Sequence, residues 1–133
     1  MSLIRSDELA ATPGYAYASS VAPGSRLIHL AGACPLEEDG SVAAVGDYLA
    51  QAAKCVDNLL EALRAAGATL ADVAYTRVLV ASSSRDDLGA VWDVVHAAFA
   101  EHEVPSTLFG VTVLGYPDQL VEIEAVAAVA DAE

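Results

Sequence analysis

The chain has 133 residues, one domain's worth of sequence, 55% of them hydrophobic, and its six basic against nineteen acidic side chains give a formal net charge of −13. That balance argues against binding nucleic acid, which needs clustered Lys and Arg, and no apolar run approaches the roughly 18–20 residues of a membrane helix. Arg5, Asp7 and Glu8 interrupt the N-terminal stretch, so no signal peptide is expected and the expected location is cytoplasmic. Cys34 and Cys55 have no CxxC spacing and no Cys/His cluster around them, so no metal site, disulfide framework or cofactor is expected.

In chain order, a short strand is expected around Tyr15–Val21 ("YAYASSV"), pairing across "APGS" with a second at Arg26–Ala33 ("RLIHLAGA"). Asp47–Gly67 reads as a helix, with Leu49, Ala53, Val56, Leu60 and Leu63 at helical spacing and Gly67 as the stop. Val73–Ala81 reads as a strand rich in branched residues. A second helix spans Arg85–Glu103 with the stripe Leu88, Val91, Trp92, Val95 and Phe99, capped from the serines at 82–84. The last strands, Thr107–Leu114 and Gln119–Val129, flank the turn signal "GYPD", which predicts a hairpin. The order β-β-α-β-α-β-β predicts a single α+β domain over residues 1–133. Two helices cover one face of such a sheet. Val73, Tyr75 and Leu79 alternate with Ala74, Val78 and Val80, so the uncovered face is expected to be apolar and to drive homo-oligomer formation.

"LVEIEAVA" at 120–127 sets two carboxylates in an apolar run, and the two-residue period of a strand puts Glu122 and Glu124 on one face. Each is read either as a half-solvated acid or as a working carboxylate; Glu124 is the expected salt-bridge partner. Arg77, mid-strand, is expected to pair with one of these acids, since a charge there is costly alone. Cys34 is read as a buried cysteine before a reactive thiol, and His29, His96 and His102 lack metal-ligand spacing. No GxSxG, P-loop or dinucleotide glycine fingerprint occurs.

Several stretches together resemble the RidA/YjgF family: "PGY" at 13–15, "LIHLAGACPLEEDGSV" at 27–42, "AAKCVDNLLEALRAAGATLADV" at 52–73, "FAEH" at 99–102 and "VEIEAVA" at 121–127. The resemblance runs from about Pro13 to Val129. It implies a chorismate-mutase-like fold, a mixed β-sheet with two helices on one face, assembled as a homotrimer with small-molecule clefts between subunits. It also implies hydrolysis of reactive 2-enamines and 2-imines to 2-keto acids and ammonia.

Carried over residue by residue, the resemblance implies Glu122 as the catalytic carboxylate and Tyr15 as the residue closing the cleft. Gly32 matches the glycine of the family's "S-G-Q" strand, with Ala33 in place of the glutamine. Thr107 stands where the family places the arginine that grips the substrate carboxylate, and Trp92 replaces a polar asparagine. Tyr15, Gly32, Ala33, Trp92 and Thr107 are therefore the expected ligand-binding residues. The expected function is a hydrolytic or deaminase-type step on a metabolite without the usual carboxylate clamp. The alternative is a non-catalytic small-molecule-binding or protein-interaction trimer, and an endoribonuclease or translation inhibitor ranks below both.

Overall fold

The computed structural model describes residues 1–130. It contains β1 (Ser2–Ile4), β2 (Ala18–Ser20), β3 (Arg26–Ala33), α1 (Tyr48–Ala65), β4 (Val73–Val80), α2 (Arg85–Phe99), β5 (Ser106–Gly110) and β6 (Val121–Val129). β3, β6, β4 and β5 form a four-stranded mixed sheet in that order, and β1 and β2 form a separate antiparallel pair. The two helices pack against each other and against one face of the sheet. This is the expected α+β arrangement.

Both helices form where expected, but α1 is rotated and the serine expected to cap α2 makes no side-chain bond to the helix backbone: Ser84 stands at the N-terminus, and Ser82 Oγ accepts the Ser84 N–H instead. Asp47 caps α1 by accepting from the Ala50 N–H at 3.0 Å, and Gly67, at φ +80°, follows its end. Its buried face is Ala52, Cys55, Val56, Leu59 and Leu63, whereas Leu49 and Leu60, expected in the stripe, are exposed. That face holds Leu59 and Leu63 beside the smaller Ala52 and Cys55, so angular position around the helix, and not residue size, separates it from Leu49 and Leu60. In α2 the expected stripe holds: Val91, Val95 and Phe99 are buried, with Leu88 and Trp92 packed against the core.

Two strand pairings differ from expectation. "APGS" does turn, with Ser25 N–H bonded to Ala22 O at 3.2 Å, but β2 pairs with β1 and not with β3. Ser19 fastens the segment elsewhere, its Oγ donating to Ala74 O at 2.6 Å. The expected hairpin at "GYPD" is also absent. β5 runs parallel to β4 on one side, and β6 antiparallel to β4 on the other. The turn itself forms, with Gln119 N–H on Tyr116 O at 3.1 Å, but the connection 111–120 carries the chain around the end of β4. Bonds from Val111 N–H to Val80 O and from Ala81 N–H to Leu120 O, both 2.8 Å, pin that crossing.

β6 carries the core. Val121, Ile123, Ala125 and Ala127 are buried against the helices, and Glu122, Glu124 and Val126 lie on the uncovered face. That face also carries Tyr75, Arg77 and Leu79 of β4. It is therefore mixed, not the uniformly apolar surface expected. Exposed apolar side chains are spread around it and along 111–120: Leu27, Phe109, Val113 and Tyr116.

One buried polar side chain holds the crossing in place. Gln51 of α1, fully buried, donates from Nε2 to Asp118 O at 3.0 Å and accepts the Leu120 N–H at 2.8 Å. Asp118 sits at φ +65°, a strained conformation for a residue with a Cβ. Replacing Gln51 by Leu leaves two backbone groups without partners, and is expected to destabilise the fold by about 2–4 kcal/mol. Urea denaturation should show a lower midpoint at an unchanged slope.

Candidate functional site

The site residues expected from the sequence fall into two groups on the protomer. The first gathers around Glu122. β3 and β6 pair with Leu30 opposite Ala125 and Ala33 opposite Ile123, so β3 holds one extra residue between them. Such a bulge re-aims side chains. Ala33 lands in the core and presents no side chain to the uncovered face. Gly32 lies beneath the Glu122 side chain: a Cβ there would come within 2.5 Å of both Cδ and Oε2. A larger residue there would push the carboxylate out of this position.

Two donors hold the carboxylate, both at Oε1: Cys34 Sγ at 3.1 Å and Gln119 Nε2 at 3.2 Å. Gln119 is buried and fixed in turn, its Oε1 accepting the Tyr116 N–H at 3.1 Å. Asn58 of α1 braces the segment carrying Cys34, donating to Cys34 O at 2.8 Å and to Leu36 O at 3.0 Å. Burial, then the hydrogen bond to Glu122 and its charge, pushes the Cys34 thiol up to about 11. Burial also raises Cys55. Sequence reasoning assigned no role to Gln119 or Asn58: Asn58 lies in the helical stretch that carries the family resemblance, but only the fold shows what either amide bonds.

The second group lines a pocket of about 470 Å³ formed by Pro13, Tyr15, Trp92, Ser106, Thr107 and Leu108. Tyr15 and Trp92 meet edge to face, centroids 6.2 Å apart, and Trp92 Nε1 donates to Pro13 O at 3.1 Å. Behind Trp92, the parallel ring of His96 bonds Glu103 at 2.8 Å, and Glu103 bonds Arg5 at 2.9 Å. Arg5 donates to Tyr15 O at 3.0 Å, and Ala16 N–H to Glu103 O at 2.9 Å, so the "PGY" segment is clamped from both sides. Gly14, at φ +91°, lies so close to His96 that a Cβ would sit 2.6 Å from its ring. Thr107 shares its hydroxyl with Tyr75 Oη at 3.0 Å.

Register separates the two groups. Glu122 lies opposite Leu79 and Leu79 opposite Phe109, whereas Thr107 pairs with Arg77. Two strand spacings and two residues of rise put Glu122 and Thr107 on the order of 12 Å apart. Between them Arg77 forms an ion pair with Glu124 at 2.7 Å, the structural partnership expected for both residues. Among the described residues, no group of three or more His, Cys, Asp or Glu is placed to hold a metal ion, and no helix is long and apolar enough to cross a membrane.

A four-stranded mixed sheet with two helices on one face, and a glycine bulge under a strand glutamate, define a protein of the YjgF-like α+β class. The family model described as Endoribonuclease L-PSP matches residues 7–129, and the chain belongs to that family, which includes the RidA/YjgF proteins. It is similar to the structure of YyfB of Yersinia pestis, a conserved Rid family protein of unknown function: TM-score 0.87, 31% identity, over 96% of this chain and 98% of that one. The YjgF gene product of E. coli aligns with a TM-score of 0.65 at 30% identity, covering 96% and 98% of the two chains. A 3-aminoacrylate deaminase, RutC of Acinetobacter baylyi, is 30% identical over 103 residues, covering 77% of this chain and 79% of that relative.

A thiol kept protonated by its surroundings reacts slowly with alkylating agents. At neutral pH, iodoacetamide should modify Cys34 about a hundredfold more slowly than an ordinary cysteine, as followed by mass spectrometry. Because the thiolate is the disfavoured form, the rate should climb with pH and level off only near the raised value of about 11.

Proposed function

We propose that the protein is a hydrolase of deaminase type, working as a homotrimer in clefts where the aromatic pocket of one protomer meets Glu122 of its neighbour. The observation that carries this reading is the Glu122 carboxylate, oriented by two donors over a glycine but about 12 Å from the pocket lined by Tyr15, Trp92 and Thr107. Each protomer holds two half-sites that a second copy can unite. Exposed Leu27, Phe109, Val113 and Tyr116 supply apolar surface for that contact. The likeness to a 3-aminoacrylate deaminase supports the reaction class.

The chemistry assigned to Glu122 is general base catalysis. Its carboxylate takes a proton from water as the oxygen bonds to the imine carbon, and the C=N π pair moves onto nitrogen. The same proton is then returned to nitrogen, giving a carbinolamine. Glu122 next carries its hydroxyl proton to the nitrogen as the C–N bond breaks, so the C–O bond becomes a carbonyl and an amine or ammonia leaves. The pocket decides which imine. Its lining contains no Lys, Arg or His, and the nearest arginine in register, Arg77, is neutralised by Glu124. Tyr15 and Trp92 suit an aromatic or apolar group in place of a carboxylate. RNA is a poor fit as substrate at a net charge of −13.

The test compares 2-aminoacrylate, generated in situ by a serine dehydratase, with a carboxylate-free aryl imine such as N-benzylidenemethylamine. The aryl imine is expected to be hydrolysed faster relative to its uncatalysed rate. Glu122→Gln should lower that rate by about 10²–10⁴-fold without loss of folding. Analytical ultracentrifugation at micromolar concentration should show three copies. Turnover of neither probe by a folded trimer would leave a binding protein, and a monomer would remove the shared cleft.

A further inference from the structure

The Glu122 carboxylate is fastened at one oxygen only. Cys34 Sγ and Gln119 Nε2 converge on Oε1, while Oε2 lies over the bare Cα of Gly32. The thiol proton has two acceptors in reach, Gly32 O at 3.5 Å and Glu122 Oε1 at 3.1 Å. The nearer is a carboxylate oxygen, which makes the stronger bond. From this geometry we infer that Cys34 is a positioning residue: its thiol donates to Oε1 and, with Gln119, leaves Oε2 as the oxygen presented to water. The inference rests on the role proposed above for Glu122.

A cysteine beside a glutamate invites a different reading, in which the thiol attacks the substrate and Glu122 takes its proton. The surroundings argue against it. Burial and the neighbouring negative charge both disfavour the thiolate, the form that attacks. Among the described residues, no Lys, Arg or His bonds the thiol; its contacts are Gly32 O, Glu122 and Gln119. A thiol held protonated is a donor. Asn58, bonded to Cys34 O and Leu36 O, fixes the backbone from which the donor projects, so the aim of the carboxylate is set from α1 through Cys34. Gln119 does the same from the connection before β6, held by Tyr116 N–H and by Val121 O, to which its Nε2 lies at 3.1 Å. With both donors on one oxygen, the carboxylate is held against rotation about its last bond, as a base must be if water is to meet it in line.

Cys34→Ala and Cys34→Ser separate donor from nucleophile. With the aryl imine as probe, Cys34→Ala is expected to lose about tenfold to hundredfold in kcat with KM unchanged within about twofold. Cys34→Ser, which keeps a donor and removes the sulfur, should return to within about fivefold of the unaltered protein. A serine variant as impaired as the alanine variant overturns the inference. A second readout needs no turnover. The infrared S–H band of Cys34, assigned by its loss in Cys34→Ala with Cys55 as internal reference, should lie below that of a free thiol and rise in Glu122→Ala. A band at the free-thiol frequency overturns the inference whatever the kinetics. If the unaltered protein hydrolyses no probe, the hydrolase reading falls, and the band still decides whether the thiol holds Glu122.

Discussion

The structure depends on β6 being paired on both sides. A central strand has no free edge, so each of its residues is committed either to the helix layer or to the open face. Val121, Ile123, Ala125 and Ala127 go to the helices and form the floor of the core with Leu59, Leu63, Val78 and Val80. Glu122 and Glu124 have no choice but the open face. A register slip of one residue would bury both carboxylates and expose the apolar set. The placement of the candidate base is thus tied to the hydrophobic core through the pleat, and the fold cannot form without delivering it.

Alternation alone would leave the two glutamates equivalent, and their neighbours make them different. Glu124 lies opposite Arg77 and is answered by a guanidinium, both partly exposed. Such a pair contributes about 0–1 kcal/mol and mainly cancels charge. Glu122 lies opposite Leu79, with no cation across the strand, and receives neutral donors from Cys34 and Gln119. Neutral donors fix the direction of a carboxylate without pairing it to a cation. The β3 bulge supplies the remaining condition. By placing Gly32 under Glu122, it lets the carboxylate lie down on the sheet where any side chain would push it away.

How much of this was legible in the sequence varied with the range of the interaction. Both helices were, because their stops and stripes are local: Gly67 after α1, and Val91 to Phe99 along α2. The rotation of α1 was not, because Leu49 and Leu60 are as apolar as Leu59 and only their angular position around the helix distinguishes them. "GYPD" was read as a turn, and it is one, but a turn signal does not say whether the chain returns beside its own strand or passes to the far side of another. That choice belongs to β4, which takes β5 on one edge and β6 on the other. β1 was too short to carry a period. The pairing of Glu124 with Arg77 was foreseeable from the cost of an unpaired charge, whereas Cys34, Asn58 and Gln119 converge on Glu122 only through the folded chain.

The row Glu124, Arg77 and Thr107, set side by side across three strands, bears on what the site accepts. A ligand carboxylate arriving near Thr107 would meet a hydroxyl already shared with Tyr75, and beyond it a guanidinium held by Glu124. Drawing Arg77 toward such a ligand would strip Glu124 of its partner and add a second uncompensated acid to a face that already carries Glu122. The long-range field acts in the same direction, since nineteen acids against six bases repel anions before contact. The aromatic pair Tyr15 and Trp92, by contrast, is held rigidly by Pro13 O, Arg5, Glu103 and His96. A wall so constrained offers shape and apolar area at little entropic cost. Under the proposed function, local contacts and overall charge therefore favour the same ligand: neutral or cationic, carrying a ring or apolar arm.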